Sequence, residues 1–395
     1  MAGRKIISTF INALKRAKHL FCLRDKNGKK YRKSVMLYGF YGMNLGDDMF
    51  FEKLLTRYPD TMFLLYVTNN YRVFFEKFDN VKFYAVEDPF VQKVNRIGNK
   101  LKIRDLFELL LLKRSSATVH IGGSIYQQVG DYENDYKNRL RRKQAFKPFY
   151  SISCNFGAYK TEEYKLKWRK QFVKFKDICF RDRYSYNLFS DVKSVRYAPD
   201  LLFSHKAEEQ KEIPGSVSIS LFNPYFIVRN LDKSTCEAYR MSLVNTVTDL
   251  INNGQKVTLL GFCTFEGDAS FIEDILRHLP DDIGRQVEYV NYSFDTKNEV
   301  LSALASSEYI IGTRLHSVIL GLAMNKKVLP IIYNSKMKYI LDDIGYNQPT
   351  IELDQLVSFE QTGFTELLNQ IERFDVSAYS NSDQQQFYKL DKFLK

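Results

Sequence analysis

The chain has 395 residues, 45% of them hydrophobic and 15% aromatic, which is enough for two domains with separate cores and excludes a disordered or fibrous protein. Five cysteines (Cys22, Cys154, Cys179, Cys236, Cys263) show no paired spacing and five histidines do not cluster with them, so neither a disulfide framework nor a metal site is expected. The net charge of +12 invites a nucleic-acid reading, but +10 of it sits in residues 1–33, where eleven Lys and Arg meet one acid, Asp25; the rest of the chain carries no basic stripe, and no nucleic-acid partner is expected.

Within residues 1–33, Ile6, Ile7, Phe10, Ile11, Leu14, Ala17, Leu20 and Phe21 recur at helical spacing while Lys5, Lys15, Arg16 and Lys18 take the other faces. This segment reads as a basic amphipathic helix and not as a signal peptide, because its cations interrupt every apolar run; no later run approaches the ~18 apolar residues of a membrane span. Two readings stay open: a helix or arm solvated against the body, or a helix lying on an anionic membrane surface, where each nearby basic residue contributes about 1 kcal/mol.

From residue 34 short apolar runs alternate with longer helical stretches, the pattern of parallel sheets covered by helices. The spacing predicts strands at 35–39, 62–67, 81–85, 118–121, 151–155 and 178–180, then at 217–221, 256–260, 287–290, 309–312 and 328–333. Between the series lies a polar linker, residues 206–215, closed by Pro214 and Gly215. The fold class is therefore α/β, with two doubly wound, Rossmann-like domains (residues 34–205 and 216–374) facing across a cleft, and a tail over 375–395 with a helix around Phe387–Leu394. The segment Tyr132–Lys143, dense in charge and tyrosine, reads as a solvated helix or as a loop facing an acceptor.

Polar motifs fall where predicted strands end. After the first strand, Gly42, Asn44, Gly46, Asp47 and Asp48 form a glycine-rich turn into a helix, a place where backbone amides can meet an anion, although the two aspartates can equally be caps. Gly122, Gly123 and Ser124 follow His120 and Ile121, where residues without Cβ let the chain pass close to a ligand; a tight structural turn is the plain alternative, and His120 reads as a core histidine. Arg181 and Asp182 end the strand at 178–180, and a guanidinium there suits a carboxylate or phosphate, unless the two simply pair or start a helix. The run Tyr309 to Ser317 carries Arg314 and His316, two residues apart at a strand end, which would set a permanent cation beside a proton-exchanging side chain on one side of the chain. Lys336, after the strand ending at Tyr333, could add a point charge or remain in solvent.

Taken in order, the Asn44-Leu-Gly-Asp47 start, the Gly122-Gly123 turn, the Arg181-Asp182-x-x-Ser185 block, the Pro199-Asp200 pair and Arg314-Leu-His316 followed by Tyr333-x-x-Lys336 resemble the polysaccharide pyruvyl transferase family, over residues 34 to about 345. Two positions depart from its usual pattern: Ser124 stands where many relatives have a third glycine, and Ala158 follows Gly157 where a proline is common. The resemblance implies a GT-B-like architecture and transfer of the enolpyruvyl unit of phosphoenolpyruvate to two hydroxyls of a sugar as a ketal, with no cofactor beyond that donor. It assigns donor binding to Arg181, Arg314 and His316.

On this basis His316 is expected as acid or base, Arg314 on one anionic end of the donor, Arg181 on the other, and Asp200 as a second carboxylate that deprotonates the acceptor. Substrate contacts are expected at Gly42, Asn44, Gly46, Asp47, Gly122, Gly123, Ser124 and Lys336. The acceptor would be a sugar of a cell-surface polysaccharide, capsule or exopolysaccharide, or its lipid-linked precursor. The enzyme would be cytoplasmic, held on the inner face of the membrane if residues 1–33 bind lipid. The competing readings are a nucleotide-sugar glycosyltransferase of the same architecture and a non-catalytic carbohydrate-binding protein.

Overall fold

The computed structural model describes residues 24, 27–128, 130–134, 136–137, 147–208, 210–226, 231–357 and 364–395. The amphipathic helix expected before residue 24 lies outside the described residues, as does the 138–143 stretch. The described part of the 132–143 segment packs inward, with the Tyr132 ring 5.4 Å from Tyr164 and the Tyr136 ring 5.2 Å from Trp168.

Seven strands build the first sheet: β1 (Lys33–Tyr38), β2 (Thr61–Val67), β3 (Val81–Ala85), β4 (Ala117–Ile121), β5 (Phe149–Cys154), β6 (Asp177–Phe180) and β7 (Val195–Tyr197), in the order β3-β2-β1-β4-β5-β6-β7. Six build the second: β8 (Ile213–Leu221), β9 (Val257–Gly261), β10 (Glu288–Asn291), β11 (Ser307–Gly312), β12 (Lys327–Ile332) and β13 (Ile351–Glu352), in the order β10-β9-β8-β11-β12-β13. All pairings within both sheets are parallel. Parallel strands need helical crossovers on both faces, which is why β4, β5, β6 and β9 are buried along their whole length and read as unbroken apolar runs. Each strand expected from sequence is present; β7 and β13, short strands at the sheet edges, are additional.

The linker is shorter than expected. Ile213, Pro214 and Gly215 begin β8, with Ile213 paired to Ser307 across a register shift. A proline is tolerated there because it stands at the exposed start of a strand, where no ladder donor is required.

In a doubly wound sheet the ligand crevice opens where the strand order reverses, beyond the carboxyl ends of the two strands flanking that point. Here those are β1 and β4 in the first half and β8 and β11 in the second. The helices that bear on the resulting cleft or tie the halves together are α1 (Leu45–Arg57), α2 (Arg183–Asn187), α3 (Asp268–His278), α4 (Leu315–Ala323), α5 (Ser335–Ile344) and α6 (Ser382–Leu394).

The halves are sewn together beneath the cleft. The loop before α1 docks on the loop after β9 through backbone bonds: Leu45 N donates to Phe262 O (3.0 Å), Thr264 N to Met43 O (3.0 Å) and Phe265 N to Gly42 O (3.2 Å). One apolar cluster runs from Val35 and Phe50 through Leu201, Leu202 and Phe203 to Val318 and Ile319 on α4. Buried Asp48 accepts from Tyr71 Oη (3.0 Å) in the first half and from Tyr292 Oη (2.8 Å) in the second. Its carboxyl is pushed well above the usual range, first by burial.

Helix α6 returns to the first half. Arg57 holds Asp391 and Asp383, and buried Gln386 donates to Ala198 O (2.8 Å) and Pro199 O (2.9 Å) while accepting from Ser153 N (2.9 Å). Among the described residues no helix is long and apolar enough to cross a membrane.

Candidate functional site

A cleft of about 360 Å³ opens where both reversal points meet. From the first half it is lined by Asn44, Asp47, His120 and Gly122 to Ser124, with Arg181 from the end of β6; from the second half come Glu266, Arg314, His316, Tyr333 and Lys336. Of the residues expected in a site, Gly42, Gly46 and Asp200 do not line it. Gly42 instead offers its carbonyl to the loop after β9. Gly46 lies directly under the His316 ring: a Cβ on it would fall 1.7 Å from Nδ1, so only glycine leaves His316 its place.

The start of α1 is not an open anion site. Asn44 Oδ1 accepts from the N–H groups of Gly46 (3.1 Å) and Asp47 (3.5 Å), Asp48 N donates to Asn44 O (2.9 Å) and Leu45 N to Phe262 O. The amides of Leu45, Gly46 and Asp47, three of those that a helix start leaves without an intrahelical partner, are therefore used by the protein itself, which weakens the basis for expecting an anion on this turn.

Arg181 joins the two halves. Its Nη1 donates to Asp200 Oδ2 (2.8 Å) and to His316 Nε2 (3.2 Å), and its Nη2 donates to Asn155 Oδ1 (3.2 Å). Gly123 makes room for this guanidinium, since a Cβ there would lie 2.4 Å from Nη2. Arg181 Nε is buried without a hydrogen-bond partner among the described residues. Asp200 is fully buried, and its Oδ1 accepts from Leu202 N (2.9 Å). It lies off the cleft as the counter-ion of Arg181 and is not placed to take a proton from an acceptor.

Arg314 and His316 reach the cleft by a different route from the one their spacing suggested. Strand β11 ends at Gly312; Arg314 is the extended residue before α4, and His316 stands in the first turn of that helix. Their partners differ as well. Arg314 Nε donates to Asp268 Oδ2 (3.0 Å), its Nη2 to Oδ1 of the same carboxylate and its Nη1 to Glu266, so its charge is already matched by two acids. Sequence reading missed Glu266 and Asp268, although they follow the apolar strand β9 with Gly267 between them at φ +76°, the same strand, glycine and acid signal as at Asp47.

A guanidinium only donates, so the His316 Nε2 lone pair is its acceptor, and the neutral ring carries its proton on Nδ1. Burial holds the His316 imidazole well below its ordinary range, with Arg181, Lys336 and Arg314 adding to the shift. Burial first, and then the flanking cations, thus keep the ring neutral.

Asp47 behaves oppositely. Burial pushes its carboxyl up to about 6, against the pull of Arg181, Lys336 and a hydrogen bond from the Gly123 backbone. Lys336 reaches over the cleft from α5, its Nζ donating to Ser124 Oγ (2.7 Å). Aromatic rings flank the opening: Phe40, 40% exposed, and Phe265, 64% exposed, meet edge to face at 6.2 Å, and Phe226 lies 5.7 Å beyond Phe265.

Two facing parallel-sheet domains, with the site in the cleft between them and the last helix crossing back, define a GT-B-like α/β protein. Solved structures with this fold include UDP-GlcNAc 2-epimerase from Neisseria meningitidis bound to UDP-GlcNAc (TM-score 0.55, 10% identity, covering 91% of this chain and 100% of that one). UDP-GlcNAc 2-epimerase from Methanocaldococcus jannaschii is similar too (TM-score 0.54, 9% identity, 92% and 99% covered). At these identities the likeness is one of fold. The polysaccharide pyruvyl transferase family model matches residues 44–335, which takes in the cleft residues named above except Phe40 and Lys336, and the chain belongs to that family.

Proposed function

We propose that the protein transfers the enolpyruvyl unit of phosphoenolpyruvate to two hydroxyls of a sugar, in a polysaccharide or its lipid-linked precursor, leaving a pyruvate ketal and phosphate. The observation that carries this reading is the contact of Arg181 with His316 across the two halves, inside a cleft with Lys336 at its edge and within the matched family segment. Phosphoenolpyruvate is small and carries a carboxylate and a phosphate. Arg181 and Lys336, which line the cleft, supply cations for those oxygens, and the carboxylates on Arg314 leave it less able to do so.

In the reaction the donor methylene gains a proton, the neighbouring carbon becomes electrophilic, one sugar hydroxyl attacks, and a second closes the ketal as phosphate leaves. Neutral His316, oriented through Nε2 by Arg181, can hydrogen-bond the donor through its Nδ1 proton. The exposed rings of Phe40 and Phe265 suit the apolar face of an acceptor sugar. The acceptor membrane surface and an inner-face location belong to this proposal through residues 1–33.

Nucleotide-sugar transfer is the second reading, favoured by the fold shared with an enzyme that holds UDP-GlcNAc. Melting the protein with each ligand separates the two: phosphoenolpyruvate raises the melting temperature and a nucleotide sugar does not. Stabilisation by the nucleotide sugar alone would reverse the assignment.

A further inference from the structure

We propose, on the reading that phosphoenolpyruvate is the donor, that Asp47 is the acid that protonates its methylene carbon and then the base that receives the proton of the first attacking hydroxyl. The carboxyl stands in the cleft against a wall of bare backbone. A Cβ on Gly122, whose φ is +115°, would come within 2.9 Å of Asp47 Oδ1, and the Gly123 N–H donates to the carboxyl. The Gly122-Gly123 turn therefore gives Asp47 both its room and its orientation.

The other acids and bases around the cleft are engaged. Asp200 is buried on Arg181, Asp268 and Glu266 are held by Arg314, the His316 lone pair accepts from Arg181, and the buried ring of His120 packs beside Tyr38, centroids 6.1 Å apart. Asp47 is held by no ion pair among the described residues.

Charge balance points the same way. Among the described residues around the cleft, three cations, Arg181, Arg314 and Lys336, meet four carboxyls, Asp47, Asp200, Asp268 and Glu266. A donor bearing a carboxylate and a phosphate adds negative charge to a set that has none to spare. The least compensated carboxyl then takes up a proton as the donor binds. Groups facing Asp47 are Arg181 at the end of β6, Lys336 on α5, Asp200, neighbouring Asp48, and His316 above Gly46; burial has already raised Asp47 to about 6 before any donor enters.

The protons balance. Asp47 gives its proton to the methylene carbon, making a methyl group. The first sugar hydroxyl bonds to the adjacent carbon and returns a proton to Asp47. The carbon–oxygen bond to phosphate breaks as the second hydroxyl bonds, and the proton of that hydroxyl leaves with the phosphate.

The test titrates phosphoenolpyruvate into the full chain by calorimetry at pH 7 in two buffers of different ionisation enthalpy, with turnover measured alongside. Wild type takes up a proton on binding. Asp47→Asn, which keeps shape and can still accept from Gly123, binds phosphoenolpyruvate without proton uptake and loses about 10²- to 10⁴-fold in turnover. Its residual kcat/KM also lacks the wild-type decline of about tenfold per pH unit on the alkaline side of the Asp47 limb.

If Asp47→Asn does not fold, Asp47→Glu takes its place, and its alkaline limb must move from the wild-type position. A variant that binds the donor, takes up the same proton and loses less than about tenfold in turnover overturns the assignment alone. Wild-type protein that binds no phosphoenolpyruvate overturns the donor reading and this one with it.

Discussion

Gly46→Ala separates packing from chemistry. Inside a helix a change from glycine to alanine ordinarily stabilises by about 1 kcal/mol. Here the new Cβ would sit 1.7 Å from His316 Nδ1, 2.1 Å from Cγ and 2.6 Å from Cε1, against a buried ring whose other neighbour is Phe50 at 5.2 Å. The imidazole must move, and overpacking of this kind costs about 1–3 kcal/mol. The two effects nearly offset, leaving a net loss of about 0–2 kcal/mol. Catalysis has no such compensation, because a displacement of ~1 Å breaks the 3.2 Å contact with Arg181, and misplacement on that scale costs about 10²-fold. Gly46→Ala should therefore melt within a few degrees of wild type while kcat/KM for the donor falls about a hundredfold. A double-mutant cycle of melting temperatures with His316→Ala tests the cause: once the ring is gone, the same Gly46→Ala change becomes neutral or stabilising. Additive effects in that cycle, or full activity in the single variant, would refute the packing argument.

Tyr292→Phe leaves Asp48 Oδ2 without its 2.8 Å donor in a buried site between the halves, and should lower stability by about 1–3 kcal/mol in denaturant unfolding. Lys336→Met removes an exposed contact with Ser124, so melting stays near wild type while KM for phosphoenolpyruvate rises about tenfold and loses part of its salt dependence. Asp343 accepts from Arg183 N (2.6 Å) at the second meeting of the halves, and burial raises its carboxyl to about 6. A carboxyl raised on folding destabilises above that value and not below its unfolded value, so Asp343→Asn should melt higher than wild type above pH 6, with the difference vanishing near pH 4.

The strands were legible because parallel strands buried on both faces show continuous apolar runs, and β4 to β6 are of that kind. Strands β7 and β13, with three and two residues, have too little pattern to read. Pro214 and Gly215 suggested a break, yet both belong to β8, because punctuation residues are also tolerated at an exposed strand start. Helix α4 begins at Leu315, before its apolar stretch, because Arg314 precedes it with no side-chain cap for a sequence to display. Most of the site residues come together in one cleft, but their pairing could not be read from one dimension. Nothing local shows that Asp200 pairs with Arg181 across the edge of the sheet, or that Glu266 and Asp268, beyond β9, take up Arg314.

The most direct measurement incubates the purified chain with phosphoenolpyruvate and a panel of free and lipid-linked sugars, following phosphate release and product mass together. One phosphate should be released for each acceptor that gains pyruvate less water, with both signals lost in Arg181→Ala. Phosphate release without a ketal product, or a sugar transferred from a nucleotide donor instead, would contradict this assignment.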